Sequence, residues 1–491
     1  MPRQTFAIER FNMGLVTALD VRDINPDACA DGSKDLEASS AEGTLYGRKA
    51  DLNAARSNIT AATILAAMIR KVDGGQCLVN ATASACYAND NGDDTRTLTL
   101  SISNPSSITV FNREARVGAD TPQFVGYTGD PATTLVSGDC ELSRHTGATT
   151  QNPIMSTAGL NQGNLDRSKV YYYKISLTYD DYQESPLNAT QTDNILGAPI
   201  VWCYSAFPGI TVQFRVDDTF WNNGRFTAAN LYRAESLGPS LASAPGTQYR
   251  LVGTYAKDAS GWSTASGYHH RTVDDRGDIG QTYETRTGCP ETLDTNFVKY
   301  KLGAMVNSDF VVAKCDSSLL DDATHMIFKS KSNRPDMFNW IEDYLRIPTI
   351  PNCITSYAGR LFAFDSSTMY RINTDGMYIE DALVGVGVSG ANCALGTEHG
   401  LFILDKASPY VYDGSSVIPI GSPIIDKYRA ESWTRPAVLF HQASGSVLFA
   451  NLGGGQAYVW NIAKKRWDLW TFTAAGCGYT DLNGALWMTT G

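Results

Sequence analysis

The last third of the chain repeats one pattern of apolar and polar positions. A glycine leads into a short apolar run at Gly359-Arg-Leu-Phe-Ala-Phe, Gly400-Leu-Phe-Ile-Leu, Gly445-Ser-Val-Leu-Phe-Ala and Gly484-Ala-Leu-Trp-Met, with the glycines 41, 45 and 39 residues apart. In the first three, a second strand-like run starts 10 to 13 residues later, at Met369, Tyr410 and Tyr458, and a turn follows it. Short strands recurring every ~40–45 residues match the size of one four-stranded propeller blade. One blade cannot bury both of its faces, so the repeats must cover one another. Evenly spaced hairpins of a β-sandwich are the competing explanation. After Gly484 the chain holds one more strand, and its open edge predicts pairing with an earlier segment. Phe6 to Val21 and Leu45 to Leu52 are the candidates.

The middle of the chain lacks that period. Val170-Tyr-Tyr-Tyr-Lys-Ile-Ser-Leu-Thr-Tyr alternates over a long strand, then turns at Asp180-Asp-Tyr-Gln-Glu-Ser-Pro. Strand-sized runs follow from Ile210, Ala228, Tyr249 and Arg271. About 120 residues in such runs fit one antiparallel sandwich of fibronectin type III character, a presented surface or rigid spacer.

Residues before 168 are less regular. Ala61 to Arg70 suits an amphipathic helix, although its Thr and Ile also suit a strand. Cys77-Leu-Val-Asn and Leu98-Thr-Leu-Ser-Ile-Ser alternate like strands, and Gly118 to Gln162 reads as loop or mobile arm. Ser332 or Asn333 could cap a short helix with Pro335 in its first turn. The expected fold is therefore all-β, a β-propeller with an inserted fibronectin III-like β-sandwich and an irregular N-terminal region. Residues 1–60 are assigned to an N-terminal arm and the strand completing the propeller. Residues 61–167 form an irregular β-rich region with room for first blades and an extended loop, 168–290 the sandwich, and 291–491 the blades.

Composition narrows the function. Apolar residues make up 43% of the 491, enough for a large core, and charged residues only 19%. The net charge of −11 argues against affinity for phosphates or anionic membranes. No run approaches the ~18 apolar residues of a membrane span, and the start lacks a secretory signal, so a soluble, unexported chain is expected. Ten cysteines, at 29, 77, 86, 140, 203, 289, 315, 353, 393 and 477, form no C-x-x-C and read as buried free thiols rather than disulfides.

Candidate chemistry is sparse. Of the six histidines (145, 269, 270, 325, 399 and 441), none has zinc spacing, and His269-His270 reads as exposed loop. No G-x-S-x-G elbow or phosphate loop occurs, and Gly453-Gly-Gly reads as a hairpin tip. The pairs Asp180-Asp181, Asp217-Asp218, Asp274-Asp275 and Asp321-Asp322 could supply carboxylates. Neighbours on a strand point to opposite faces, however, and turn aspartates bond their own backbone. Lys464-Lys-Arg reads as a solvated turn, and Asp90-Asn-Gly-Asp-Asp lacks calcium-loop spacing. No catalytic, cofactor or metal residue is assigned, and the expectation is a protein that is not an enzyme.

Phe11-Asn-Met-Gly-Leu and Gly43-Thr-Leu-Tyr-Gly-Arg, the sandwich motifs Gln183-Glu-Ser-Pro, Asn230-Leu-Tyr-Arg and Thr272-Val-Asp-Asp, and the blade motifs Arg334-Pro-Asp-Met-Phe-Asn and Val411-Tyr-Asp-Gly carry a resemblance. Together they resemble the tail nozzle or tail hub proteins of short-tailed phages; residues 60 to 165 carry no matching motif. The resemblance implies a virion tail component assembled in the host cytoplasm, a homo-oligomeric ring (a hexamer) below the head–tail adaptor. Tail fibre or tail-tip proteins are its implied further partners. Genomic DNA would pass through without specific binding, and nothing would insert into a membrane. Two other readings stand beside it: a receptor- or carbohydrate-binding tail or adhesin protein, and a glycan-cleaving propeller enzyme.

Overall fold

The computed structural model describes residues 14–15, 28–29, 36–38, 45–47, 62–70, 76–89, 98–111, 113–127, 136–139, 154–160, 163–166, 168–187, 200–202, 209–222, 225–237, 248–265, 267–291, 299–316, 320–481, 484 and 486–490. Seven inner strands line a common centre in chain order: Thr63–Arg70, Ser107–Phe111, Lys299–Val306, Cys353–Tyr357, Ala394–Thr397, Pro436–His441 and Ala475–Thr480. Each packs on the next, and the last packs back on the first, which closes the circle. The protein is a β-propeller carrying an inserted β-sandwich.

Blades 1, 2, 4 and 5 are four-stranded antiparallel sheets growing outward from those inner strands; blade 3 has five strands, with both Arg334–Phe338 and Tyr344–Arg346 on Met326–Lys331, and the four strands of blade 6 are extended by Gly14–Leu15 and Ala28–Cys29. Blade 4 shows the plan: Cys353–Tyr357, Arg360–Phe364, Thr368–Asn373 and Tyr378–Val384 pair in sequence. The second strand of a blade lies between two neighbouring blades and is buried on both faces. Hence Gly400–Leu404 and Ser446–Asn451 are buried at every position. This two-sided burial makes the motif read as a continuous apolar run rather than an alternation. The preceding glycines take left-handed backbone at the tight turn, with φ of 71° at Gly359 and 58° at Gly445.

Blade 7 comprises Ala475–Thr480 and Leu486–Thr490 among the described residues. Gly14–Leu15 pairs in parallel with the outer strand of blade 6, Arg466–Thr471, through Gly14 and Trp467. That strand edge needed a partner for its backbone groups as much as the last blade did. Leu45–Gly47 pairs with Leu36–Ala38; the remainder of both candidate segments lies outside the described residues.

Two local expectations are corrected. Thr63–Arg70 is the inner strand of blade 1 rather than a helix, because tertiary burial suits its β-branched residues. Arg334–Phe338 is a strand of blade 3 rather than a capped helix, with Asn333 at φ 57° making the turn before it.

The sandwich leaves the propeller after blade 2 and returns to blade 3. One sheet orders Ile154–Leu160, Gly209–Asp217, Tyr268–Asp275 and Trp262–Ala265. The other orders Gln183–Glu184, Val170–Tyr179, Phe226–Glu235 and Arg250–Ala256, with Ile200–Trp202 also on Val170–Tyr179. Tyr171, Tyr173, Ile175 and Leu177 face Ile210, Val212, Phe214 and Val216 of the opposite sheet. On the other side, Val170 and Tyr172 pack with Tyr232, Tyr249 and Tyr283. The tyrosine-rich strand is thus covered twice, once by the second sheet and once by the short helix Tyr283–Thr287. By its pairing, Ile154–Leu160 belongs to this sandwich, and Ser107–Phe111, Glu114–Gly118, Gln123–Gly126 and Val136–Asp139 form blade 2, so strands stand within the stretch from Gly118 to Gln162 that reads as loop or arm in the sequence.

Candidate functional site

Two features could carry function: the axial channel and the junction of sandwich and propeller. The channel has a volume of about 500 Å3 and is walled by all seven inner strands. Ala66, Ser107, Ala304, Ser356, Ala394 and Gly478 are among its small lining residues. Small residues belong there because seven strands converge: a Cβ on Gly303 would lie 2.8 Å from the Thr109 hydroxyl of the neighbouring inner strand. Among the described residues, Cys477 and Tyr479 are the ionisable side chains of the lining, with no carboxylate or histidine beside them. Glycoside hydrolysis needs two carboxylates ~5–9.5 Å apart, which the described lining does not supply.

The junction is built from charge. Blade 2 contributes Glu114 and Arg116, blade 3 contributes Asp336, and the sandwich contributes Asp180, Gln183 and Arg225, all buried. The Arg225 guanidinium lies 2.7 Å from Asp180 and 2.5 Å from Asp336. Arg116 donates from Nε to Glu114 at 2.7 Å and holds both carboxylate oxygens of Asp336. Gln183 accepts from the Asp336 backbone N–H at 2.8 Å and donates to Asp180 at 2.9 Å. The Phe124 ring lies 4.2 Å from the Arg225 guanidinium and 5.5 Å from that of Arg116. Burial pushes the Glu114 carboxyl above its usual range, against the pull of Arg116. Burial works against a charged Arg225, but Asp336 and Asp180 outweigh it and hold the guanidinium charged.

The paired acids of the sequence are scattered by the fold. Asp180 and Asp181 both take left-handed backbone in one turn, at φ 55° and 67°, yet Asp180 is buried against Arg225 rather than solvated. Asp274 and Asp275 point to opposite sides: Asp275 is buried and bound by Arg233 and the Tyr173 hydroxyl, whereas Asp274 accepts from Thr211. Asp322 pairs with Arg346. His269 and His270 lie on the strand Tyr268–Asp275, not in a loop. His269 stacks on Trp221 at 3.8 Å, with its Nε2 3.0 Å from Asp218.

Of the basic run, Lys464 and Lys465 form the turn, but Arg466 is buried and paired with Asp468 at 2.6 Å. Gly453 to Gly455 form a hairpin tip, with Gly455 at φ 73°. Cys86, Cys289, Cys315, Cys353 and Cys393 are buried free thiols, and Cys77 and Cys477 are buried as well. Burial pushes Cys86 and Cys289 up to about 12 and Cys393 to about 11, so these thiols stay protonated at neutral pH. Among the described residues no three His, Cys, Asp or Glu side chains are placed to hold a metal. No helix of the described residues is long and apolar enough to cross a membrane. His145 and Asp90 to Asp94 lie outside the described residues.

No family model matches the sequence, and no curated protein matches it. Solved structures give only distant likenesses. Apo AztD from Citrobacter koseri is 11% identical at a TM-score of 0.24, covering 79% of this chain and 93% of that one. The Pan2 WD40 domain of Neurospora crassa is 9% identical at 0.28, covering 57% and 86%. A catalytically inactive virginiamycin B lyase from Staphylococcus aureus is 9% identical at 0.29, covering 79% and 92%. Likenesses this distant carry nothing about function.

Proposed function

We propose that the chain is a structural, non-enzymatic subunit of a short-tailed phage tail, a nozzle or hub protein that works as a ring of identical copies. The single observation supporting this reading is the distribution of exposed apolar side chains. Six of the eleven exposed large apolar side chains among the described residues lie on three adjacent blades: Ile341 and Tyr344 on blade 3, Tyr378, Leu383 and Val384 on blade 4, and Ile418 on blade 5, with Val384 79% exposed. The others, Leu237 among them at 71%, are spread over the rest of the molecule. Large apolar groups grouped on one side of a propeller are costly in water and suit a covered surface. The junction fits a scaffold as well, since it fixes the sandwich as a rigid projection of the ring. In this reading the DNA passage lies between copies, at the centre of the ring. The head–tail adaptor and the fibre or tip proteins would meet the two ends of the ring.

The test is the mass of the full chain by light scattering across a concentration series. A closed multiple of the monomer is expected. A strict monomer at high concentration would sink the reading, and glycan binding by that monomer would favour the carbohydrate-binding alternative.

A further inference from the structure

A second cavity adjoins the axial channel, at the end where the inner strands turn back into the second strands of blades 3, 4 and 5. Its volume is about 350 Å3, and Ser356 lines both it and the channel. Blade 3 contributes Asn307, at φ 53° in the turn between Lys299–Val306 and Asp309–Asp316. Blade 4 contributes the end of Cys353–Tyr357 and its own turn, with Ala358 at φ 49° and Gly359 at φ 71°. Blade 5 contributes Thr397 and Glu398, where Ala394–Thr397 ends. The Asn307 amide reaches across to the turn of blade 4: a Cβ on Gly359 would stand 3.5 Å from its Oδ1.

Most polar groups around this cavity are not used by the fold. The Asn307 amide and the Ser356 and Tyr357 hydroxyls have no hydrogen-bond partner among the described residues. Glu398 is exposed, and its carboxylate meets the Nε2 of its neighbour His399 at 3.6 Å. The Thr397 hydroxyl, by contrast, is taken up by its own turn, donating to the Gly400 carbonyl at 3.1 Å and accepting from the His399 N–H. The Tyr357 ring stands edge-on to Tyr412, with centroids 6.2 Å apart, so packing holds it without help from the hydroxyl. Glu398 is the one charged residue of the described lining. Arg360, next to the cavity, is turned to Glu380 at 2.8 Å. Unused polar groups from three blades converging on a concavity of this size suit a small ligand.

We propose that this cavity binds a small molecule carrying a primary ammonium group. An ammonium offers three N–H donors and no acceptor. The Glu398 carboxylate supplies the opposite charge, and the Asn307 amide oxygen and the Ser356 and Tyr357 hydroxyls supply acceptors. A carboxylate or phosphate ligand would meet Glu398 with like charge and find no cation in the described lining to offset it. The site belongs to a single copy, so it stands whether or not copies form a ring.

Saturation-transfer NMR titrations on the full chain test it, with propylammonium as the probe and propanol as its uncharged counterpart. Propylammonium is expected to bind saturably, and propanol about 5-fold more weakly. Glu398→Gln keeps the shape of the side chain and removes its charge, and is expected to weaken propylammonium binding about 5-fold. Asn307→Gly keeps the left-handed turn, which glycine adopts freely, and removes the amide, with a loss of about the same size expected. Thermal melts confirm that both variants stay folded. Absence of saturable binding to the wild type, propanol binding as tightly as propylammonium, or unchanged binding in both variants would overturn the proposal. The mass of the particle is a separate measurement, so this site and the ring reading can fail independently.

Discussion

Arg225 of the sandwich and Asp336 of blade 3 lie 2.5 Å apart, 111 residues distant in sequence and both buried. This pair and its neighbours decide that the insert is docked rather than tethered. Three carboxylates, from Glu114, Asp180 and Asp336, meet two guanidiniums, from Arg116 and Arg225. The surplus carboxyl is Glu114, the one that burial pushes toward its protonated form.

Breaking the pair from one side leaves a buried charge without its partner. Arg225→Met is expected to destabilise the protein by about 3–5 kcal/mol, read from the urea midpoint. The triple change Arg225→Met, Asp180→Leu and Asp336→Leu is expected to cost less than the single one, because no carboxylate of the pair remains buried alone. A triple variant weaker than Arg225→Met would show that the ion pair itself stabilises the junction.

Glu114 sets a pH dependence. Its native pKa is raised above the usual 4.5, so the native state holds its proton more tightly than the unfolded chain does. The stability this gives is fully present below 4.5 and is lost as pH rises from there through the native value. Glu114→Gln removes that loss. The stability difference between variant and wild type is therefore expected to shift in favour of the variant as pH rises from 4 to 8, read by thermal melts in matched buffers. A flat difference across that range would exclude Glu114 as the group responsible.

Gly396 sits where the inner strands of blades 4 and 5 approach most closely. A methyl group there meets the backbone carbonyl of Ser356, which cannot rotate away. Gly396→Ala is expected to cost about 1–3 kcal/mol. Gly396 is not among the glycines with left-handed backbone, so a loss there reports crowding against Ser356 rather than backbone strain. A Gly396→Ala variant as stable as the wild type, read from the urea midpoint, would show that the neighbouring inner strand gives way without cost.

The buried thiols give a solution test of ring closure. Cys86, Cys289, Cys353 and Cys393 are buried and pushed toward the protonated form. Native protein at pH 8 is expected to leave these four unlabelled by a thiol reagent, with labelling only after unfolding, read by peptide mass mapping. Rapid native labelling of Cys353 or Cys393 would show blades 4 and 5 opening.

The blades that the sequence makes visible are those whose turn into the second strand uses glycine. Gly359, Gly400, Gly445 and Gly484 mark blades 4 to 7. In blade 3 the same turn is made by Asn307 at φ 53°, followed by Asp309-Phe-Val-Val-Ala, so the apolar run is present without its glycine. Asparagine tolerates that backbone, so a pattern of glycine or asparagine before the apolar run includes blade 3. The sequence carries a second signal: Asp365, Asp405 and Asn451 each follow the apolar run and accept backbone N–H groups of the next turn. The junction was illegible for a different reason. Nothing local distinguishes Asp180, which is buried against Arg225, from Asp181, which is exposed; only a partner 45 residues away does so.

The contact between Ala475–Thr480 and Thr63–Arg70 bears on how the protein is made. Its two halves are separated in sequence by the other five inner strands, so the circle stays open until Ala475–Thr480 has left the ribosome, and loop-closure entropy opposes it until then. The sandwich depends on no such late arrival. Its strands are complete by residue 275, well before blades 4 to 7 are synthesised, so it can fold first as an independent body. A nascent chain halted after residue 470 is therefore expected to carry a protease-resistant insert beside a wheel that has not yet shut.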